Sequence, residues 1–275
     1  MGAREYYLYR AKFIKPAQLP LFAENISSMD LFLNSIHDKP DYTLSSGSEW
    51  HIGNVKTFDH FSGSFAVGRT TKTTFEKFDV ETGDFKDELD DSGPYTVVIF
   101  DAKIGLLGIA KKSKLAPNAS SIARRIKDLL LTTNTSIESG IDVRVDVIPD
   151  PEDFLEKLRG AYSIRKFKAS FTGPNPIDAD ELFQKPLSVY AQNMGAASGT
   201  LEVIGDALNE EVAESVAKST AATGNTASAR VVPSLGVKAK NIKMKGDAVV
   251  VMVNEEATNQ QVLEQMQSEY MRVRG

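Results

Sequence analysis

The sequence contains no cysteine, three histidines and one tryptophan. The first absence removes disulfides, thiolate metal sites and cysteine nucleophiles together, and it suits a reducing compartment. His37, His51 and His60 have no metal-ligand spacing, so neither a structural metal nor an organic cofactor is expected. No run approaches the roughly 18 apolar residues that a membrane helix needs. Arg4 and Glu5 put charge at the start, and no apolar run of signal-peptide length follows. A soluble cytoplasmic protein is expected. There is no Gly-Lys-Ser/Thr phosphate loop and no Gly-x-Ser-x-Gly elbow. Gly105-Leu-Leu-Gly108 lacks the third glycine and the strand-to-helix setting of a dinucleotide site, and reads instead as close strand packing. No catalytic residue is assigned, and the chain is expected not to be an enzyme.

What is present fits an ordinary globular protein. The chain has 275 residues, 41% hydrophobic and 25% charged, which permits a sizeable core and two domains. The formal net charge of −5 conceals segregation. Lys103 to Lys127 carries seven basic residues and no acid: Lys103, Lys111, Lys112, Lys114, Arg124, Arg125 and Lys127. Lys238 to Lys245 carries four lysines and no acid, whereas Glu76 to Asp91 holds eight acids and two lysines.

Hydrophobic periodicity predicts an α+β fold with mixed or antiparallel sheets and flanking helices, in two lobes. Strands are expected over 5–14, 50–58, 61–70, 73–80, 95–100, 104–110, 141–148 and 162–171. Helices are expected over 27–36, 122–131 and 151–159. The acidic stretch reads as a solvated loop or edge. Gly173-Pro-Asn-Pro176 is the clearest punctuation, and divides an N-terminal α+β domain (1–172) from a C-terminal lobe (173–275). That lobe is expected to hold helices over 179–194 and 210–221 and a short strand near 201–204. Strands over 230–240 and 248–253, turning at Lys245-Gly-Asp247, follow. A terminal helix over 259–272 is expected to pack by Val262, Leu263, Met266 and Tyr270, on its own subunit or in a dimer.

Two patterns carry chemistry. Asp101-Ala-Lys103 ends a strong strand, with Asp90 and Asp91 upstream. Metal-dependent nucleases use an acid followed by acid-x-Lys to hold a divalent ion and activate water, although Asp-x-Lys also serves an ordinary turn. The second pattern is Val237-Lys-Ala-Lys-Asn-Ile-Lys-Met-Lys245. Lys238 and Lys240 fall on one strand face, and Lys243 and Lys245 follow after a phase change, with ammonium groups about 6–7 Å apart. Such a row matches phosphates on a nucleic-acid strand, or protects a sheet edge. Arg165, Lys166 and Lys168, beside Phe167 and Phe171, form a second basic strand. These seven cations are the candidate DNA-binding residues.

The series Tyr6-Tyr-Leu-Tyr-Arg-Ala-Lys12, Asp30-Leu-Phe-Leu-Asn-Ser-Ile36 and Val98-Ile-Phe-Asp-Ala-Lys-Ile-Gly-Leu-Leu-Gly-Ile-Ala110 resembles the RexA-like phage exclusion proteins in order and separation. The likeness continues through Val143-Arg-Val-Asp-Val-Ile148 and Lys166-Phe-Lys-Ala169, and ends with Lys238-Ala-Lys240 ahead of Gly246-Asp247. The resemblance implies a prophage-encoded defence protein, a homodimer of two-lobed subunits that binds double-stranded DNA without marked sequence preference. It further implies a RexB-like membrane channel protein as partner, and it carries over Lys238 and Lys240 as DNA contacts. The acidic total and the 76–91 stretch depart from that pattern. A nuclease at Asp101/Lys103, or a module that senses a phage protein through its acidic stretch, are the alternatives.

Overall fold

A computed structural model describes residues 2–14, 26–70, 73–90, 93–138, 140–172 and 183–275. Along them run β1 (Ala3–Ile14), α1 (Ser28–His37), β2 (Asp41–Thr43), β3 (Glu49–Thr57), β4 (Ser62–Thr70), β5 (Thr73–Phe78), β6 (Phe85–Asp90), β7 (Tyr95–Asp101) and β8 (Leu106–Ala110). Next come α2 (Ala119–Leu131), α3 (Asn134–Glu138), β9 (Asp142–Val147), α4 (Glu152–Arg159), β10 (Ser163–Thr172), α5 (Gln184–Asn193) and β11 (Ser198–Ile204). The chain ends with α6 (Glu210–Ala222), β12 (Ala227–Val232), β13 (Lys240–Lys243), β14 (Val250–Asn254) and α7 (Asn259–Arg274). The fold is α+β, and the pairings among these strands are antiparallel.

The first sheet runs β14-β1-β8-β7-β4-β3-β2, with β9 also on β1. Odd positions of β1 (Tyr9, Ala11, Phe13) face a core built with α1 and α2, whose apolar stripe is Ile122, Ala123, Ile126, Leu129 and Leu130. Asn118 starts α2 by accepting the Ser121 N–H, as Ser27 does for α1 with Asp30. Even positions Tyr6 and Leu8 face the other side, where α4, α6, α7 and the second sheet share one continuous core. β7 is buried from Val98 to Asp101, as its unbroken apolar run predicts.

The second sheet is ordered β11-β10-β12-β13. The expected boundary at 173–176 lies outside the described residues, and sheet membership follows another division. β10, which precedes it, belongs to the second sheet, while β14 and α7, which follow, return to the first. One side of β1 explains this. β14 occupies it from Ala3 to Tyr7 and β9 from Tyr9 to Ile14. At the junction the Leu8 N–H donates to the Val249 carbonyl and the Ile148 N–H to the Leu8 carbonyl. The intervening chain is an excursion with both ends fixed at Leu8.

Two expectations are corrected here. Strands 230–240 and 248–253 do not form a hairpin: Pro233 interrupts the first, β13 pairs with β12, and β14 pairs with β1. Within the acidic stretch, expected as a solvated loop or edge, 85–90 forms a further strand, β6, which pairs with β5 inside the expected strand 73–80.

A capping box of Thr258 and Gln261 starts α7, and Val262, Leu263, Met266 and Tyr270 are all buried. The helix docks on its own subunit. Gly108 permits this, because a Cβ there would meet Met266 Sδ at 2.3 Å. Arg10, itself buried, donates from Nη1 to the Tyr270 hydroxyl at 2.8 Å. Lys12 Nζ reaches Asp146 Oδ2 at 2.9 Å and Asn225 Oδ1 at 3.3 Å, and Thr172 donates to the same Asn225 oxygen. Lys12 thereby ties β1 to the start of β12 and the end of β10.

Met266→Ala is expected to cost about 2–5 kcal/mol, the usual range for emptying a buried site, read as a lowered urea midpoint. Burial holds the Lys12 amine below its ordinary value, against the opposing pull of Asp146. The unfolded chain therefore binds more protons just below pH 10.5, and Lys12 makes the fold gain stability as pH rises towards that value. Lys12→Met removes the ammonium from Asp146 and Asn225 and should lower the urea midpoint at pH 7, and the pH-dependent gain should disappear from its denaturation series as pH rises towards 10.5.

Candidate nucleic-acid interface

Strand alternation splits the second sheet into an apolar and a basic face. Phe167, Ala169, Phe171, Ala227, Ala229, Val231, Ile242 and Met244 point into the core. Their neighbours point out in rows fixed by register. One row is Ile204, Lys166, Arg230, Asn241; the next is Glu202, Lys168, Ser228, Lys243. Beyond lie Thr200 and Ser170, beside Thr226 and Lys245, and here a groove of about 370 Å³ opens. Its lining includes Lys168, Lys243 and Lys245 with the hydroxyls of Ser170, Thr200, Thr226 and Ser228. Ser170 Oγ and Thr226 Oγ1 lie 3.0 Å apart, which fixes the floor.

Lys166 is 3.4 Å from Glu202. Among the described residues Lys168, Arg230, Lys243 and Lys245 have no carboxylate within ion-pair distance, and all four are exposed. Lys168 and Lys243 are separated by one intervening strand, so their backbones stand roughly 10 Å apart. The face carries no aromatic side chain, since Phe167 and Phe171 lie on the opposite side. The arrangement can hold the oxygens of an anion by charge and hydroxyl donors, and offers no ring on which a base could stack.

The structure thus brings Lys166, Lys168, Lys243 and Lys245 together and separates three expected partners from them. Arg165 is the extra residue at a bulge in β10 and pairs with Asp206 at 2.7 Å. Lys238 precedes β13 in an irregular exposed segment, so it shares no strand face with Lys240. Lys240 opens β13 opposite Val231, with the parity of buried Ile242, and is out of phase with Lys243. The expected phase change is present. Arg230 was missed by sequence reasoning. Its only signal is parity with Ser228 and the cross-strand position of Lys166.

The 103–127 cations are differently placed. Lys103 lies over the Phe61 ring, Lys112 over the Tyr95 ring, Lys111 beside Glu5 at 3.7 Å, and Arg125 on Asp128 at 2.8 Å. Asp101 is buried; its Oδ1 accepts the Lys103 backbone N–H and its Oδ2 accepts from Gln267 Nε2 at 2.8 Å. That is an Asx turn anchored to α7. Asp91 and the side chain of Asp90 lie outside the described residues. No cluster of three or more His, Asp or Glu able to hold a metal ion occurs among the described residues. Likewise, no described helix is long and apolar enough to cross a membrane.

Fold and face define an antiparallel α+β protein of two larger sheets and a separate hairpin, with a basic, hydroxyl-bearing sheet surface. Over residues 28–269 the sequence matches the family described as Domain of unknown function (DUF4747), and the chain belongs to that family. No curated protein matches the sequence.

Asp101→Ala should lower unfolding free energy by about 1 kcal/mol, because the part-buried Lys103 N–H and Gln267 amide lose their acceptor. Chemical denaturation followed by circular dichroism measures it.

Proposed function

We propose that the chain binds double-stranded DNA through phosphate contacts, without marked sequence preference, on the outer face of the second sheet. The observation that carries this reading is the gathering of Lys168, Lys243 and Lys245 around a hydroxyl-lined groove, with Arg230 in the adjoining row and none of the four in an ion pair among the described residues. Phosphate contacts of this kind give affinity and register but no base information. The lack of an aromatic platform favours duplex over single strands. The likeness to RexA-like exclusion proteins supports the same ligand and extends the proposal to a cytoplasmic homodimer in a phage-exclusion system with a RexB-like membrane partner.

A surface suited to the dimer exists. Among the described residues β11 is an edge strand, and Glu202 is its only charged residue. Beside it Leu201 and Val203 line an apolar groove of about 350 Å³ with Phe167, Phe183 and α6. Two such edges pairing antiparallel about a two-fold axis would cover both grooves. The dimer would then join the two basic faces into one.

Lys168→Ala/Lys243→Ala should weaken binding to unrelated duplexes about equally. It should also make the slope of log K against log salt shallower by about 1.8, two phosphates at about 0.9 each. Fluorescence anisotropy over a salt series measures both. Unchanged affinity and slope would remove the face from the reading, and a larger effect of Lys238→Ala/Lys240→Ala would move the contact to the segment implied by the resemblance. Plasmid cleavage with Mg²⁺ or Mn²⁺, abolished by Asp101→Ala, would favour the nuclease alternative instead.

A further inference from the structure

The hairpin β5–β6 forms a sheet by itself, and an isolated pair of strands is marginally stable in water. Its two faces are differently finished. Register places Lys77 opposite Lys86 on one face, and each has its own carboxylate: Glu88 for Lys77 at 3.1 Å, Asp79 for Lys86 at 2.9 Å. The Lys86 ammonium and the Glu81 and Thr82 N–H groups hold Asp79 below the usual carboxylate range.

The other face has no such internal neutralisation. Glu76 stands directly opposite Asp87, an arrangement that destabilises a strand pair. Neither has a cation within ion-pair distance among the described residues. Next to them Phe78 and Phe85 meet edge to face at 5.1 Å while remaining 49% and 77% exposed. Two unneutralised carboxylates beside an exposed aromatic pair make a surface whose complement is both cationic and apolar. The basic sheet face has that chemistry. Lys168, Arg230 and Lys243 lack carboxylates, and Ile204, 72% exposed, ends the row of Lys166 and Arg230.

We propose that the Phe78/Phe85 face of this hairpin docks on the basic face of a second copy of the chain. There it competes with duplex DNA for the same lysines, an inference that rests on the DNA-binding reading for its consequence. The partner is a second copy because the basic face is turned away from the first sheet, whose strands β4 and β7 flank the hairpin. Glu76 and Asp87 take the place of phosphates, the rings lie against Ile204 and the lysine stems, and Arg230 can stack on a ring face.

Carbodiimide cross-linking of mixed ¹⁴N and ¹⁵N full-length protein at low salt, read by mass spectrometry, tests this directly. Between-chain links from Glu76 or Asp87 to Lys168, Lys243 or Lys245 are expected, and excess duplex DNA should suppress them. Phe78→Ala/Phe85→Ala keeps every linkable group and should lose these links. Glu76→Gln/Asp87→Asn should bind duplex about tenfold more tightly than the unaltered chain. Links within one chain only, no hairpin-to-face links, or links undiminished by the phenylalanine substitutions would overturn the docking. Unchanged DNA affinity in Glu76→Gln/Asp87→Asn would overturn the competition. If no form of the protein binds duplex DNA, the proposed function falls, and the cross-links alone still decide the docking.

Discussion

One residue's backbone fixes the architecture. Leu8 divides one side of β1 between β14 and β9, accepting from Ile148 and donating to Val249. Because both strands share a single edge, the hundred-odd residues between them must leave and return at the same point. The second sheet is therefore held by a closed loop rather than hung on a linker. The bridge between Pro149 and Ala248 and the close approach of Gly246 to Asp150 tighten that neck. Lys12, Asp146 and Asn225 add a polar tie a short distance along β1. A sheet fixed in this way can present a face of fixed geometry, which a phosphate-binding surface needs.

Charge is sorted by the same fold. Arg10 and Lys12, on the inward face of β1, are buried and engaged by Tyr270, Asp146 and Asn225, so these cations serve packing. The outward face of the second sheet keeps its cations in water, where crowding of like charges is tolerable because each remains hydrated and salt screens over about 8 Å. In sequence the acids are densest from Glu76 to Asp91, eight against two lysines. A net charge of −5 therefore says little about the field a ligand meets at the groove.

Local structure was legible wherever one period dominated. The alternation of 141–148, the stripe of α2, the proline and acids opening α4, and the cap of α1 each predict what forms. Pairing is legible only where neighbours in sequence are also neighbours in space, as in β3–β4 and β7–β8. Strands 230–240 and 248–253 flank a Lys-Gly-Asp turn signal, yet Ile242 and Met244 belong to one sheet and Val251 and Val253 to the other. The basic face was half visible for a related reason. Lysines on 166–168 and 243–245 stand out as runs, but their assembly depends on β12 lying between them, which no local pattern states. Arg230, the cation at the centre, sits among apolar residues and shows no run at all.

The choice between the two basic regions turns on neutralisation rather than on count. The 103–127 stretch carries more cations in sequence, but a phosphate arriving there finds Lys111 beside Glu5, Arg125 on Asp128, and Lys103 and Lys112 lying over rings. Each of these contacts would have to be given up, and surface pairs of this kind are worth little individually, up to about 1 kcal/mol. The cost is thus modest per contact, yet it recurs at most positions and spreads over a helix, a turn and a loop that do not share a face. On the second sheet the opposite holds. Three strands in fixed register set Lys168, Arg230 and Lys243 on one face, none of them in an ion pair among the described residues because the neighbouring Glu202 is engaged by Lys166, so an anion meets donors already oriented. A phosphate there forfeits no internal contact of these three, and that difference, more than the number of lysines, makes the sheet face the stronger candidate.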